Sequence, residues 1–416
     1  MTSDGARRAE ILETAATLFA SSGLRTTLKD IADACGILPG SLYHHFDSKE
    51  AIVIELVERY REDLDRIALE ASEEPQVSGP VEDRIMAFGR AIAECALRHR
   101  AALLLTLYEP PTVLGEELVK LAQQAPNAIE GAMLQILREG DASGSIRSDI
   151  DLELLGNRLC QSMLHVGVGV SHLTPGAEHV PELRLGILLH GIGVRTPSNA
   201  TLDRSGALGA AQGVIVSWEG TNDLDERTTH LMAAARAEFG RRGYESTTMR
   251  DIAAAAGLST GTVYRSFRSK EELLDSIMSS YSRNLKTAWD TVLRSDSSSI
   301  ERVDGLMWVN IHVLERFGDE FKIQLAWLRQ SPPSTPHLDF SFRAQLRQIK
   351  ALLADGTGRG EIRLDGGSAD VRARCVFEAI MMSPSIIRVA GAPSAHRLAR
   401  DTVLRGALVG GRGHHG

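Results

Sequence analysis

Near the N-terminus the apolar positions fall at helical spacing. Ile11, Leu12, Ala15, Leu18 and Phe19 stand at i, i+1, i+4, i+7 and i+8, the stripe by which an amphipathic helix buries one face. Gly23 follows as the expected C-cap. A second, short helix is predicted over Lys29 to Cys35, with Ile31 and Ala34 on one face and Ala32 small enough for close helix approach. Gly36 suits the positive φ of a tight turn. A third helix, Pro39 to Phe46, turns Leu42 and Phe46 toward the core and carries its proline in the first turn, where no hydrogen bond is lost. Gly40 and Ser41 are left as small residues at its exposed start. Ser48 is a good N-cap for a fourth helix, with Lys49 beside it.

The whole pattern then returns. Phe19-Ala-Ser-Ser-Gly23 recurs as Phe239-Gly-Arg-Arg-Gly243, and Asp30-Ile-Ala-Asp-Ala-Cys-Gly36 as Asp251-Ile-Ala-Ala-Ala-Ala-Gly257. Gly40-Ser-Leu-Tyr-His-His-Phe-Asp-Ser-Lys-Glu50 recurs as Gly261-Thr-Val-Tyr-Arg-Ser-Phe-Arg-Ser-Lys-Glu271. Further on, Gly144-Ser-Ile-Arg147 matches Gly360-Glu-Ile-Arg363, and Leu188-Leu-His-Gly191 matches Val403-Leu-Arg-Gly406. The chain is thus read as two subunits in tandem. The second copy adds Ser259 as N-cap of its third helix, where the first has Leu38, and a capping box of Ser269 with Glu272. Two short helices around a glycine also occur in ordinary helical cores; two matched copies argue against that reading.

The rest of each copy is amphipathic to wholly apolar. Ile85 to Leu107 is predicted as one long helix ending at Pro110-Pro111, and Leu152 to Val170 as another. In the second copy Val303 to Phe317, Phe321 to Gln330 and Val371 to Val389 are helical, with a kink or break at Pro384. Met307, Trp308, Trp327 and Met381 are candidate ligand-binding residues lining an apolar pocket between helices, core packing being the plainer reading of each. Thr196 to Asp223 is rich in Gly, Ser, Asn and Ala and reads as a linker with a short helix over Gly206 to Glu219.

Composition narrows the function classes. The formal net charge of −8 does not advertise a nucleic-acid binder, but a DNA-reading surface needs only local positive charge. Residues 1–50 hold 5 basic and 7 acidic side chains, whereas residues 225–272 hold 8 basic and 7 acidic, so the second motif is expected to be the stronger anchor on phosphates. No apolar run reaches the ~20 residues of a membrane span, and the polar stretch Met1 to Glu10 has no signal-peptide core; a cytoplasmic protein without membrane partners is expected. Cys35, Cys95, Cys160 and Cys375 are scattered and read as reduced thiols. His165, His172 and His179 are seven apart, but Pro175-Gly176 interrupts any helix joining them, so no metal is expected. No catalytic or cofactor motif is present, and the chain is not read as an enzyme.

The segments Thr27-Leu-Lys-Asp-Ile-Ala…Gly36…Gly40 to Glu50 and Thr248-Met-Arg-Asp-Ile-Ala…Gly257…Gly261 to Glu271 resemble the DNA-binding domain of the TetR family. The resemblance implies an all-α protein of two tandem TetR-like units. Residues 1–50 and 224–271 would be helix-turn-helix domains, 51–195 and 272–416 helical ligand-binding and dimerisation domains, and 196–223 the linker. It implies phosphate contacts from Tyr43, Lys49, Tyr264 and Lys270, and base reading from Gly40, Ser41 and His44 in one copy and Thr260, Gly261, Thr262 and Arg265 in the other. Thr27 and Thr248 join them as DNA-binding candidates. The partners implied are a double-stranded DNA operator and a small-molecule effector. Across Ile37 to Ser48 the first copy resembles members governing lipid or steroid catabolism in response to acyl-CoA esters, which points to a repressor released by an acyl-CoA or another apolar ligand. Family members act as homodimers through their last two helices, here Leu152–Val170 with Pro181–His190 and Val371–Val389 with Leu398–Leu408. One chain is therefore expected to form an internal pseudo-dimer, with homodimerisation of chains left open. The alternative is a small-molecule-binding protein whose first motif, with no Lys or Arg in its recognition helix, has lost DNA binding.

Overall fold

The computed structural model describes residues 3–410 apart from 24–25, 74–78, 109–114, 124–125, 170–176, 221–224, 245 and 329–335. Among the described residues there is no β-strand, only two isolated bridges, Ile146 to Leu408 and Gly193 to Ile362. The first half comprises α1 (Ser3–Ser22), α2 (Leu28–Ala34), α3 (Pro39–Leu42), α4 (Lys49–Glu73), α5 (Val81–Arg98), α6 (Arg100–Tyr108), α7 (Glu116–Gln123), α8 (Asn127–Ala142), α9 (Leu152–Leu164), α10 (Val166–Gly169) and α11 (Val180–His190). Then come α12 (Asn199–Leu202) and α13 (Gly206–Gly220). The second half holds α14 (Glu226–Arg242), α15 (Met249–Ala255), α16 (Thr260–Ser266), α17 (Lys270–Leu293), α18 (Ser299–Arg316), α19 (Gly318–Leu328), α20 (Pro336–Gly358), α21 (Ala369–Ala379) and α22 (Pro384–Ala399), which is kinked at Gly391, with φ of 76° and ψ of 160°, and runs on through a wider π-helical turn, Arg400–Arg405.

The sequence pattern accounts for most of these elements, and the departures have local causes. Ile11, Leu12, Ala15 and Phe19 of α1 are buried as expected. In α2 the buried pair is Ile31 with Ala32, while Ala34 faces solvent. The helix predicted over Ile85 to Leu107 breaks at His99, whose φ of −101° and ψ of 31° leave the helical region. Its ring is held 2.8 Å from Asp63 on α4, a tertiary contact that no local pattern announces. Of the kink or break expected at Pro384 the structure has the break: α21 ends at Ala379, and Pro384 opens α22 at its first turn, behind the N-cap Ser383. No single helix among the described residues is long and apolar enough to cross a membrane; α21 and α22 with its continuation approach the criterion only as a pair bent by 74°.

The segment read as a linker contains the short helix expected over Gly206 to Glu219, seen as α13 (Gly206–Gly220), and this helix is packed. Apolar α13 lies against α17 and α18, burying Ala207, Ala211 and Trp218, the last edge-on to Phe317 at 5.1 Å between centroids. Gly305 of α18 permits this approach, since a Cβ there would stand 2.9 Å from the Ala207 carbonyl oxygen.

The two halves meet through α9 and α11 on one side and α21, α22 and the π-helical turn on the other. Their backbones bond in mirrored pairs. Ile192 N donates to Val403 O at 2.8 Å, and Ala407 N to Leu188 O at 3.2 Å. Gly193 N donates to Leu404 O at 3.0 Å, and Leu408 N to Leu189 O at 3.0 Å. Arg147 N to Ala407 O is matched by Arg363 N to Ile192 O, both at 2.9 Å. The chain turns past its partner helix at Gly191 and Gly406, with φ of 69° and 85°; a Cβ at either would lie within 2.6 Å of the other's backbone, so glycine is required by both conformation and space. The short repeats Gly-x-Ile-Arg and the closing helix-plus-glycine are therefore the motifs that knit the halves about a pseudo-twofold axis.

Candidate DNA interface

Each half presents a three-helix head whose second helix is fixed by a reciprocal cap. Asp30 N donates to Thr27 Oγ1 at 3.1 Å while Thr27 N donates to Asp30 Oδ2 at 2.8 Å. Thr248 and Asp251 repeat this at 3.2 and 2.9 Å. Capping of this kind satisfies helix-end amides that would otherwise lack partners. Backbone and hydroxyl bonds from Thr27 lower the Asp30 pKa, and the Thr248 hydroxyl and amide bring Asp251 down to about 2. The candidate DNA contacts Thr27 and Thr248 are exposed, but their hydroxyls are engaged in these caps.

After the turns at Gly36 and Gly257, with φ of 64° and 63°, the recognition elements differ. In the second half Ser259 accepts from Thr262 N at 3.2 Å, and α16 runs for seven residues. In the first half Leu38 makes no side-chain cap, and α3 has four regular residues before loosening into a turn through His45. The helix expected to reach Phe46 is thus shorter than its pattern. Gly40, Ser41, Tyr43 and His44 are exposed, as are Gly261, Tyr264 and Arg265, with Thr260 half-buried. Tyr43 and Tyr264 are 54% and 51% exposed.

Thr262 departs from expectation. It is only 7% exposed; its hydroxyl lies 2.9 Å from Ser259 Oγ and accepts from Arg265 Nη2 at 3.0 Å. It positions Arg265 rather than facing outward. Lys270 at the start of α17 is half-buried, with Nζ donating to Tyr244 O at 2.9 Å and lying 4.2 Å over the Tyr244 ring. Lys49 is likewise half-buried at the start of α4. Ser48 accepts from Ala51 N at 3.0 Å and Ser269 from Glu272 N at 3.2 Å. The return arm expected of Glu272 lands one residue earlier, on Arg268 N at 2.7 Å.

Gly40 and Gly261 have ordinary φ, and a Cβ built at Gly40 meets nothing within 4 Å; at Gly261 it reaches only Ser259 Oγ, at 4.0 Å. The fold itself makes no demand for glycine at either place, although glycine within a helix costs up to about 1 kcal/mol relative to alanine.

The ligand-pocket candidates have different surroundings. Met307 is fully buried in the core, and Trp308 packs against the rings of His312, tilted, and His396, edge-on, at centroid distances of 4.2 and 5.0 Å. Met381 is half-buried, and the Trp327 side chain lies outside the described residues. One polar cluster was not evident from sequence. Asp63, Cys95 and His99 place ligand-type atoms within 4.8 Å of one another. Against its burial, hydrogen bonds from His99, Arg66 and Arg98 hold the Asp63 carboxyl at about 2, while burial pushes the Cys95 thiol up to about 12. A protonated thiol beside a carboxylate already flanked by two guanidiniums ties α4 to α5; it is a poor donor set for a cation.

Comparison with known proteins matches the model for bacterial regulatory proteins of the tetR family at two places, residues 11–56 and 231–277. Over 151 residues the chain is 38% identical to the HTH-type transcriptional repressor KstR2 of Rhodococcus jostii, covering 36% of this chain and 72% of that one. Over 199 residues it is 33% identical to KstR2 of Mycobacterium tuberculosis, covering 45% of this chain and 92% of the relative. Among solved structures, that of the ketosteroid transcriptional regulator KstR2 of Mycobacterium tuberculosis aligns at 23% identity with a TM-score of 0.38, over 43% of this chain and 91% of that one.

Proposed function

Since the chain belongs to the TetR family of DNA-binding transcriptional regulators, with the DNA-binding module present twice, we propose that a single molecule acts as a complete two-headed repressor. In this reading Gly40, Ser41, Tyr43, His44 and Lys49 form one reading head, and Thr260, Gly261, Tyr264, Arg265 and Lys270 the other. One observation carries it. Two glycines at equivalent points of the two recognition helices face open space, with neither packing nor backbone conformation to explain them. A missing side chain that the protein does not need serves something arriving from outside, and a recognition helix lying in a major groove is what brings a backbone that close.

Gly40→Ala and Gly261→Ala separate folding from binding. Each should leave thermal stability unchanged or raise it by about 0.5–1 kcal/mol while weakening operator affinity about tenfold or more, measured by titration of labelled DNA. Unchanged affinity in both variants would remove these helices from the interface.

The effector is proposed to be a molecule with a long apolar part, an acyl-CoA or other lipid, on the strength of the Ile37 to Ser48 segment. Such a ligand should raise the melting temperature and release DNA, since it shifts the balance only by binding one state more tightly. A screen yielding only small polar effectors would sink this assignment and leave the regulator standing.

A further inference from the structure

The pseudo-twofold axis allows the two sides of the contact between the halves to be compared position by position, and they are not equivalent. The mirrored bonds set Gly191 against Gly406 and Arg147 against Arg363. The N-caps Asp151 and Ser368 fix the register of α9 against α21. In that register Arg158 corresponds to Cys375, Gln161 to Glu378 and Ser162 to Ala379, while Arg184 of α11 corresponds to Ala399 and Gly186 to Asp401.

The charged contacts that α9, α11 and Arg147 make with α21 and the π-helical turn run one way, while Arg400 and Arg405 of that turn reach the connecting segment, at Asp203 and the Pro197 carbonyl. Arg184, 1% exposed, pairs with the carboxylate of Glu378 and donates through Nη1 to Ser162 O at 2.7 Å. Its mirror would be Ala399 facing Gln161, which carries no charge. Arg158, 4% exposed, donates through Nη2 to Ala379 O at 2.7 Å and has Nη1 2.9 Å from Met382 Sδ. It has no carboxylate partner among the described residues; it caps the C-terminal end of α21, the end of a helix that favours a cation. The Cys375 thiol stands at the mirror position. Arg147 reaches Asp401 Oδ1 at 3.2 Å, where the mirror position holds Gly186. The first half brings buried guanidiniums, and the second brings the carboxylates and the helix end that receive them.

We propose that this face fits only the complementary half of the same kind of chain, and that Arg184 with Glu378, supported by Arg158, excludes pairing of like with like. Two first halves together would bury Arg184 and Arg158 twice over with Gln161 in place of Glu378. Two second halves would set Glu378, 18% exposed and 3.9 Å from Arg374 Nε of its own helix, opposite Ala399 in place of Arg184, and leave the end of α21 facing Cys375. A buried charge stripped of its partner is strongly destabilising, so each homotypic arrangement is penalised while the pairing within one chain is not. This rests on the reading that the halves work as one unit, but it is measured without DNA, so a failure to bind an operator leaves it intact.

The test uses full-length chains with two different affinity tags. Glu378→Arg alone sets two cations face to face within a chain, and Arg184→Glu alone sets two anions. Each should lower the melting temperature by on the order of 5 °C or more. Arg184→Glu with Glu378→Arg in one chain should recover most of that loss and stay a one-chain species by light scattering. Co-expressed, the two single-reversal chains can exchange halves so that every Arg meets a Glu, and should co-purify as a two-chain complex that neither forms with itself. Arg184→Met and Glu378→Gln, which remove charge without reversing it, provide a double-mutant cycle should the reversals fail to fold. Absence of rescue in the swapped chain, absence of the mixed complex, or additive effects in the cycle would each overturn the proposal.

Discussion

At the scale of single residues, α16 exposes Arg265 and turns Thr262 inward. Arg265 is exposed and free to project from α16, yet its guanidinium is steadied by Thr262, and Thr262 is itself held by Ser259. Arg265→Ala should leave the melting temperature unchanged, cost about 1–3 kcal/mol of operator binding and relax selectivity at one base position. Thr262→Ala should instead destabilise the fold by about 1 kcal/mol through the lost hydrogen bonds and weaken binding without changing which bases are preferred. Competition binding against single-base operator variants, beside thermal melts, tells them apart; a changed base preference in Thr262→Ala would return that residue to the reading surface. The repeated Gly, Tyr and Lys positions were legible in the sequence because two copies agree on them. The inward turn of Thr262 was not, because on a seven-residue helix it depends on where the cap draws the hydroxyl. Ala34 was misplaced for a related reason: in so short a helix a three-residue spacing does not decide which neighbour packs, and Ala32 does.

At the scale of elements, the tandem heads were readable from periodicity and caps, whereas two features owe their existence to tertiary contacts. The break at His99 follows from the Asp63 carboxylate on α4, with no proline or glycine to announce it. The segment between the halves has the composition of a flexible tether, but its small residues allow α13 to lie close on α18 at Gly305, and Trp218 anchors its far end against Phe317. A tether tolerates substitution; a packed helix does not. Trp218→Ala should destabilise the second half by about 3 kcal/mol, within the range for removing a buried tryptophan, detectable as a lowered midpoint in urea and faster exchange of the α17 and α18 amides. A variant as stable as the parent would show that the packing of Trp218 does not hold α13 in place.

At the scale of the molecule, the two heads are unlike and sit on one chain, and this dictates the form of the operator. The mirrored backbone bonds around Gly191 and Gly406 hold the last helices of both halves together, and α12 and α13 carry the chain from one half to the other. A pseudo-twofold body reads a site of two half-sites about one turn of DNA, or a multiple of it, apart. Because His44 stands where the other head has Arg265, and an uncapped α3 where the other has a capped α16, the half-sites should differ in sequence. The second head should also contribute more of the salt-dependent affinity, given its excess of basic residues. One chain bound to one composite site is therefore expected, with a light-scattering mass of one 45.1 kDa protein per duplex. Palindromes built from either half-site alone should bind more weakly, by about 1–3 kcal/mol for each mismatched base pair so introduced. Footprinting on the composite site should show two protected faces, and Arg265→Ala should weaken protection on one of them. Two chains on a strict palindrome, contacting it only through their second heads, would show that the first head has left DNA altogether.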